Sequence, residues 1–443
     1  MQAGLEFSCL DIKKTVARTF AGTYLALLIF AAGTMFVWMF KLPVIEYHDF
    51  AKYYCAAQIV ASGEGRKFYD MDFEMEKWRQ LSNESVSKRP VCLEISPVWA
   101  SIIIPFGMVP FKTAYIMWQG FWIAAGVAGL FSVVRAINSR LSIKESVFAT
   151  IVLVAAVMSS LPEARGMVLG QPCLLILGII SAFCAAFIAK RDITAGIILA
   201  VSTVKFQYSP FLGIAALAAG RWKLIGTAAA GFAILIALAA AIIGIDSVIQ
   251  YPSILLKWET AKELEIDINP QSMVNFRGII SIFTSPEIAM KCSFPIMIAG
   301  LLLTFKIWFD ALKIGSKATP WALSFSILCM LLCSAHVHMY ECIVLSVCAA
   351  LTLPSFDPIA LSKLKPLSMK LWAWVLIIYP VLMWIVFFAD VNVFHFKFGS
   401  FNFSVVTVIT FNLINLILAV LAAINMYRQP KGEDAAVASV SAD

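Results

Sequence analysis

Residues 21–40 read AGTYLALLIFAAGTMFVWMF, and residues 46–54, a few positions further on, read EYHDFAKYY. The first stretch has about 20 mostly apolar residues, the length that a helix needs to cross a bilayer. It is too long for the hydrophobic part of a signal peptide, and no small-residue cleavage site follows it. It therefore predicts an uncleaved transmembrane helix. The second stretch is the first place beyond that helix where acidic, basic and aromatic side chains crowd together.

The composition extends this prediction to the whole chain. Of the 443 residues, 61% are hydrophobic and only 14% are charged, and the mean hydropathy is +0.86. A soluble domain does not need so much apolar surface, and runs of nearly spanning length recur along the chain. The sequence therefore predicts an all-α polytopic membrane protein with about 12 transmembrane helices.

The later apolar runs set the expected positions of the remaining spans. We expect spans at about 113–135, 146–161, 170–189, 193–204, 208–219, 223–244, 293–312, 320–335, 339–354, 371–389 and 404–427. Several of these runs are shorter than the ~20 residues that a straight span needs, so we also expect broken helices and hairpins.

The polar segments define the expected domain organisation. Residues 1–427 are predicted to form one transmembrane domain, with a first extracytoplasmic loop at 41–95 and a second at 245–290. Aromatic and charged residues alternate in the first loop, which is typical of amphipathic helices at a membrane surface. The proline-bounded run 96–110 is too short for a span and predicts a re-entrant or short helix. Residues 428–443 are polar and predict a disordered cytoplasmic tail.

The basic residues orient the chain. The formal net charge is +7, but Lys and Arg gather at helix ends, which is a signature of membrane topology and not of nucleic-acid binding. If the N-terminus is cytoplasmic, the following residues all fall on the cytoplasmic side: Arg135, Arg140, Lys144, Lys190, Arg191, Arg221, Lys223, Lys313, Lys317, Lys363, Lys365, Lys370, Arg428 and Lys431. The C-terminus is then cytoplasmic as well.

The cysteines give little evidence of a cofactor or metal. Most of the 10 cysteines lie in apolar runs, where they act as small hydrophobic residues. Cys55 and Cys92 share the first loop and could pair, although the sequence gives no geometry. No Cys or His spacing suits zinc, so we expect no metal site.

Asp49, in the stretch 46–54, is the candidate catalytic residue. A carboxylate just beyond a transmembrane helix lies where the local dielectric falls, so that its pKa can be tuned for work as a base. The alternative is that Asp49 only caps the helix that begins at Phe50, because Asp is a favoured N-cap residue. The two roles are compatible.

Polar groups on the same predicted face of the membrane are the candidates for binding an anion. Lys205 interrupts an apolar stretch and is either a lysine that snorkels to the interface or a point charge for a phosphate, with Gln171 and Gln207 as neutral donors. Arg277 is either a surface residue or a bidentate phosphate clamp. Ionisable residues inside apolar sequence are costly and are functional candidates by default.

His336 and His338 lie between two predicted spans, and we expect their side chains to point in opposite directions on a strand-like turn. The sequence offers no further ligands for a metal, so we expect them to hydrogen-bond to an anion or a substrate hydroxyl. A purely structural role for one of the two remains the alternative.

At these residues the chain resembles glycosyltransferase family 87. The first-loop part of the resemblance consists of Asp49-Phe50, Tyr53-Tyr54, Gly63 and Tyr69-Asp70. The later part follows in order as Ser96-Pro97, Gly170-Gln171-Pro172, Ala195-Gly196, Lys205, Arg221-Trp222 and Asn275-Phe276-Arg277-Gly278. The resemblance spans residues 49–341. The family includes the polyprenyl-phosphate-mannose-dependent mannosyltransferases of mycobacterial lipids.

The resemblance implies a GT-C fold and an inverting transfer of a sugar, such as mannose or another hexose or a pentose. The donor would be a polyprenyl-phosphate sugar, and the acceptor a lipid or glycan at the outer face of a bacterial inner membrane. Asp49 would be the general base, and no metal or other cofactor would be required. The expected donor-phosphate residues are Lys205, Arg277, His336 and His338. Further substrate contacts are expected from His48, Tyr53, Arg165, Gln171, Gln207 and Asn275.

Two other classes of protein compete with an enzyme. A secondary transporter or flippase of a lipid-linked or anionic substrate would explain Lys205 beside a broken helix, but the halves of the chain show no internal repeat. A membrane scaffold would not need ionisable groups that converge on one face.

Overall fold

The computed structural model describes residues 22, 24–30, 33–34, 49–81, 95–138, 141–259, 273–353, 364–389 and 405–430. Several expectations lie outside these residues: the role of His48, the pairing of Cys55 with Cys92, most of the first span, and the tail beyond residue 430. In the part that is described, the secondary structure is helical apart from one antiparallel bridge between Met273 and His338.

Seventeen helices follow one another along the described part of the chain. They are α1 (Asp49–Ala61), α2 (Met71–Leu81), α3 (Trp99–Gly107), α4 (Phe111–Ile137), α5 (Ile143–Met158), α6 (Leu161–Leu169), α7 (Cys173–Ile188), α8 (Asp192–Val201), α9 (Ser209–Ala218), α10 (Trp222–Ile243), α11 (Ile245–Glu259), α12 (Phe276–Phe283), α13 (Pro286–Ile314), α14 (Thr319–Cys333), α15 (Leu345–Thr352), α16 (Leu367–Ala389) and α17 (Val405–Tyr427).

Six of these helices are long and apolar enough to cross a membrane: α4, α10, α13, α14 with the short turn before it, α16 and α17. The pair α5 and α6, bent by 68°, would make a seventh span. The chain is therefore a multi-pass membrane protein. The expected count of about 12 spans includes shorter helices such as α9, whose 10 residues cover only ~15 Å at the α-helical rise.

The first loop folds differently from the expectation of helices lying on the membrane surface. The helix α2 keeps most of its polar side chains exposed. In contrast, α1 is buried on nearly every face, because α3 and α4 cover it. A Cβ on Gly107 would overlap the Ala57 backbone, so α3 packs directly onto α1. The run 96–110 contains only the short α3, as predicted.

A cluster of buried tryptophans holds two turns at the same end of the helices. The indole N–H of Trp118 donates to the Gly170 carbonyl at 2.9 Å, and that of Trp99 donates to the Val204 carbonyl at 3.0 Å. The two rings also contact each other, with centroids 5.6 Å apart. Because one aromatic cluster anchors both turns, the residues that follow them, Gln171 and Lys205, are fixed relative to α1.

Candidate active site

Asp49 is the first residue of α1, where its negative charge is favoured by the helix dipole. Its Oδ2 accepts a hydrogen bond from Nε2 of Gln171 at 2.5 Å, across 122 positions of the chain. Its Oδ1 lies 3.5 Å from Nζ of Lys52, and about a fifth of each side chain is exposed. The carboxylate is therefore held by two side chains and remains partly open.

Gly170 makes the contact between Asp49 and Gln171 possible. It ends α6 in the left-handed conformation with φ +71°, which glycine adopts without the steric cost of a Cβ. A Cβ at this position would also overlap the Cβ of Phe50, the neighbour of Asp49. The turn at Gly170 therefore packs directly against the start of α1, with no room for a side chain between them.

Gly170→Ala is expected to separate Gln171 from Asp49 and to lower any activity that depends on Asp49 about 10- to 100-fold, the scale of a displacement of ~1 Å in a catalytic site. The left-handed conformation adds a cost of ~1–2 kcal/mol for alanine. The measurement is turnover of the purified variant, with Gly120→Ala as the control. Gly120 is helical, and a Cβ added to it would meet no other atom within 4 Å, so normal turnover in both variants would contradict this role for Gly170.

Lys205 ends a short 3-10 turn between α8 and α9. Its Nζ forms an ion pair with Oε1 of Glu341, and the two side chains are only 13% and 1% exposed. The ammonium also lies 5.9 Å from the Tyr208 ring centroid and 5.3 Å from that of Tyr340. Lys205 is therefore held in place by a carboxylate and two aromatic rings, and it does not snorkel freely.

Asp49 and Lys205 belong to the same polar cluster, which lies around α6 and α7. Gln171, which holds the Asp49 carboxylate, directly follows the turn at the end of α6. The 3-10 turn Met339–Val344, whose Tyr340 and Glu341 contact Lys205, packs against both α6 and α7. The candidate base and the candidate phosphate-binding cation thus lie around the same two helices.

Arg277 lies in a second, more deeply buried group. Its NH1 pairs with Oε2 of Glu259 and donates to the Ala335 carbonyl at 3.0 Å, and its NH2 donates to the Glu259 carbonyl at 2.8 Å. Arg277 is 1% exposed. It is not a surface residue. Its buried guanidinium joins the end of α11 to the loop that follows α14.

Asn275 positions Arg277. Its side-chain oxygen accepts a hydrogen bond from the Gly278 N–H at 2.8 Å and caps α12, while its amide donates to the Ser334 carbonyl at 2.7 Å. The side chain is fully buried. These contacts fix the loop, and direct binding of a substrate by Asn275 stays a prediction.

The expectation that His336 and His338 point in opposite directions is wrong. Their rings contact each other edge to face, with centroids 4.7 Å apart. His338 has an extended backbone, with φ −99° and ψ 165°, and the side chains of residues i and i+2 in an extended segment lie on the same face. Nδ1 of His336 lies 3.0 Å from Oε1 of Glu259, and Gln207 donates through Nε2 to the His336 carbonyl at 3.3 Å.

Glu259 is an ionised carboxylate. Burial opposes its ionisation, but the neighbouring His336 imidazole and Arg277 guanidinium outweigh burial and lower the pKa of Glu259 to about 2, from an ordinary value of 4.5. The Glu259 carboxylate thus links α11 to Arg277 and to His336. His336 lies in the loop 334–338 between α14 and the 3-10 turn Met339–Val344, which we call the histidine loop.

This lowered pKa predicts a loss of stability in acid. The folded state binds the proton on Glu259 more weakly than the unfolded chain, so its contribution is complete above about pH 4.5 and is lost as the pH falls towards 2. The melting temperature of the detergent-purified protein should therefore fall through this window. Glu259→Gln should melt lower at neutral pH, and its difference from the wild type should shrink in acid. A constant difference would contradict the assignment.

The remaining expected site residues are placed as follows. Tyr53 is buried against Trp99 and Trp118. Arg165 is half-buried on α6. The roles expected for both in substrate binding stay predictions.

Two central residues were not expected from the sequence. Glu341 pairs with Lys205, and Glu259 pairs with Arg277. Glu341 could have been found, because a carboxylate at the start of an apolar run is a functional candidate. Glu259 carried no such signal, since it lies in a segment with several other charges. In the part of the chain that the structure describes, no three His, Cys, Asp or Glu residues are grouped closely enough to hold a metal ion.

The two ion pairs, Lys205–Glu341 and Arg277–Glu259, lie where the chain passes between apolar helices. The chain is thus a membrane protein with a polar site beside its membrane-spanning helices. The model of glycosyltransferase family 87 matches residues 96–337, more than half of the chain. The chain belongs to this family and is a membrane glycosyltransferase, which gives the transporter alternative no support. Asp49 and Glu341 lie outside the matched residues. No curated protein matches the chain.

Proposed function

We propose that this glycosyltransferase transfers a sugar from a polyprenyl-phosphate donor to a hydroxyl of a lipid or glycan, with inversion at the anomeric carbon. The sugar is mannose or another hexose, or a pentose. The observation that carries the proposal is that the residues holding Asp49 and Lys205 meet at α6 and α7: Gln171 follows α6 and holds the Asp49 carboxylate, and the turn that contacts the Lys205 ammonium packs against both helices. Inverting transfer needs a base for the acceptor and positive charge for the leaving phosphate.

Asp49 is the proposed general base. The acceptor oxygen forms a bond to the anomeric carbon while the bond from that carbon to the phosphate oxygen breaks, and the acceptor proton passes to Asp49. The electron pair of the broken bond leaves with the phosphate. Gln171 holds one carboxylate oxygen and Lys52 faces the other, so the carboxylate is oriented before the acceptor binds. Such preorganisation lowers the barrier because the group need not reorient during the reaction.

Lys205 is the proposed main contact for the donor phosphate. Its ammonium has three donors, of which Glu341 accepts one. His336 and His338 lie in the loop that leads into the turn carrying Glu341, so they are proposed to donate hydrogen bonds to the donor phosphate. Arg277 is proposed to act on the phosphate at longer range, because its guanidinium is already paired with Glu259.

The distribution of charge supports an extracytoplasmic site in a GT-C fold. The helix α7 begins beside Gln171 and ends at Ile188 after 16 residues, which is ~24 Å along the helix. Lys190 and Arg191 follow at that far end. Because short cytoplasmic loops are enriched in Lys and Arg, we assign the basic end to the cytoplasm and the Asp49 end to the outer face of a bacterial inner membrane.

The proposal is tested by incubating the purified protein with radiolabelled polyprenyl-phosphate sugars, and in parallel with the matching nucleotide sugars, in the presence of a membrane lipid extract as the acceptor. We expect label in the acceptor only with the lipid-linked donors, and transfer slowed by at least ~100-fold with Asp49→Asn. Transfer from a nucleotide sugar by the wild type would overturn the proposed donor class.

Activity is expected to survive removal of divalent metal ions, because basic side chains and not a metal are proposed to neutralise the phosphate. The measurement is transfer after treatment with EDTA, compared with the same sample resupplied with Mg²⁺ or Mn²⁺. If activity vanished with EDTA and returned with either ion, the proposed phosphate site would be wrong.

A further inference from the structure

The Lys205–Glu341 pair joins the proposed phosphate site to the histidine loop. One oxygen of Glu341 contacts the Lys205 ammonium, and the other accepts a hydrogen bond from the His338 backbone N–H at 3.0 Å. The Glu341 side chain is 1% exposed. A single buried carboxylate is therefore in contact with the proposed cation and with the loop that carries both histidines.

Glu341 also cancels the charge of Lys205 in this structure. A polyprenyl-phosphate sugar is a phosphodiester with one negative charge, whereas the polyprenyl phosphate left after transfer is a monoester whose charge approaches −2 near neutral pH. An unpaired ammonium at a site of low dielectric would bind the product more strongly than the donor. The leaving lipid phosphate would then tend to remain on the enzyme.

We propose that Glu341 is a positioning residue that competes with the phosphate for Lys205 and so sets the rate of product release. The inference rests on the proposed function, because it requires a lipid phosphate at Lys205. Glu341 holds the ammonium in place before the donor binds. When the product leaves, Glu341 takes back the hydrogen bond, and no buried cation is left without a partner.

A merely structural role for Glu341 predicts different kinetics. If Glu341 only fixed the histidine loop, its loss would loosen the site and weaken the binding of donor and product alike. If Glu341 competes with the phosphate for Lys205, the loss of its charge should instead strengthen the binding of the product. Glu341→Gln keeps an oxygen that can accept from His338 but removes the negative charge, and Glu341→Asp keeps the charge on a shorter side chain.

The test measures the affinity of the full-length protein in detergent for a short-chain polyprenyl phosphate, by calorimetry. Glu341→Gln is expected to bind this product about 10- to 100-fold more tightly than the wild type, the range that a hydrogen bond to a charged group contributes. Its kcat should fall while KM for the donor does not rise. Glu341→Asp should restore most of the wild-type product affinity.

The Lys205→Met background separates competition from a general disturbance. There, the effect of Glu341→Gln on product affinity should shrink to the direct repulsion between the carboxylate and the phosphate, because the cation for which the carboxylate competes is absent. Unchanged or weaker product binding by a folded Glu341→Gln variant would overturn the inference while leaving the proposed function intact. Failure of the wild type to bind any polyprenyl phosphate would instead overturn the proposed function, and this inference with it.

Discussion

Asp49→Asn is expected to slow sugar transfer by ~10²–10⁴-fold, the typical effect of losing a general base, and to leave the melting temperature nearly unchanged. Asparagine keeps the shape of the side chain and an oxygen that can accept from Gln171, but it cannot take the acceptor proton. It also suits the start of a helix nearly as well as aspartate. The lost pair with Lys52 is partly exposed and contributes little to stability.

Asp70→Asn is the matched control. Asp70 is exposed, and its Oδ1 accepts from the backbone N–H groups of Asp72 and Phe73 at 3.1 Å, so it caps α2 and has no proposed part in transfer. This variant should transfer sugar at the wild-type rate. Near-normal turnover by a well-folded Asp49→Asn protein would remove Asp49 from the mechanism and leave only its structural role at the start of α1.

Arg277→Met is expected to lower the free energy of unfolding by ~3–5 kcal/mol, the usual cost of removing one partner of a buried ion pair. Among the residues that the structure describes, the variant would leave the buried Glu259 with His336 as its ionisable partner, and it would remove the Arg277 donor from the Ala335 carbonyl. The melting temperature of the detergent-purified protein gives the measurement. The double variant Arg277→Met with Glu259→Gln should recover part of the loss, because it no longer buries an uncompensated carboxylate.

Arg79→Met provides the comparison at the surface. Arg79 pairs with Glu76 at 3.8 Å, and more than half of each side chain is exposed, so its loss should change stability by no more than about 1 kcal/mol. If Arg277→Met melted like the wild type while KM for the donor rose, the structural role would be wrong. Arg277 would then contact the phosphate directly.

The sequence predicted the separate parts of the candidate site better than their contacts. Lys205 was singled out because a lysine in an apolar run is costly, and it does lie in the polar cluster. Its pairing with Glu341, 136 positions away, depends on how α6 and α7 pack against the 3-10 turn Met339–Val344. The same limit applies to Asp49 and Gln171. A local pattern shows that a charge must be compensated, but not which distant residue compensates it.

Sequence alone determined that this is a multi-pass helical membrane protein of glycosyltransferase family 87, because apolar length and the order of short motifs are properties of the chain itself. Tertiary structure decided that α1 is buried and that Arg277 is paired with Glu259. These outcomes follow from packing. A helix with alternating aromatic and charged residues can lie on a membrane or beneath other helices, and only the neighbours that cover it settle which faces lose water. Once a charge is buried, desolvation requires a partner, and the fold supplies the partner that lies within reach.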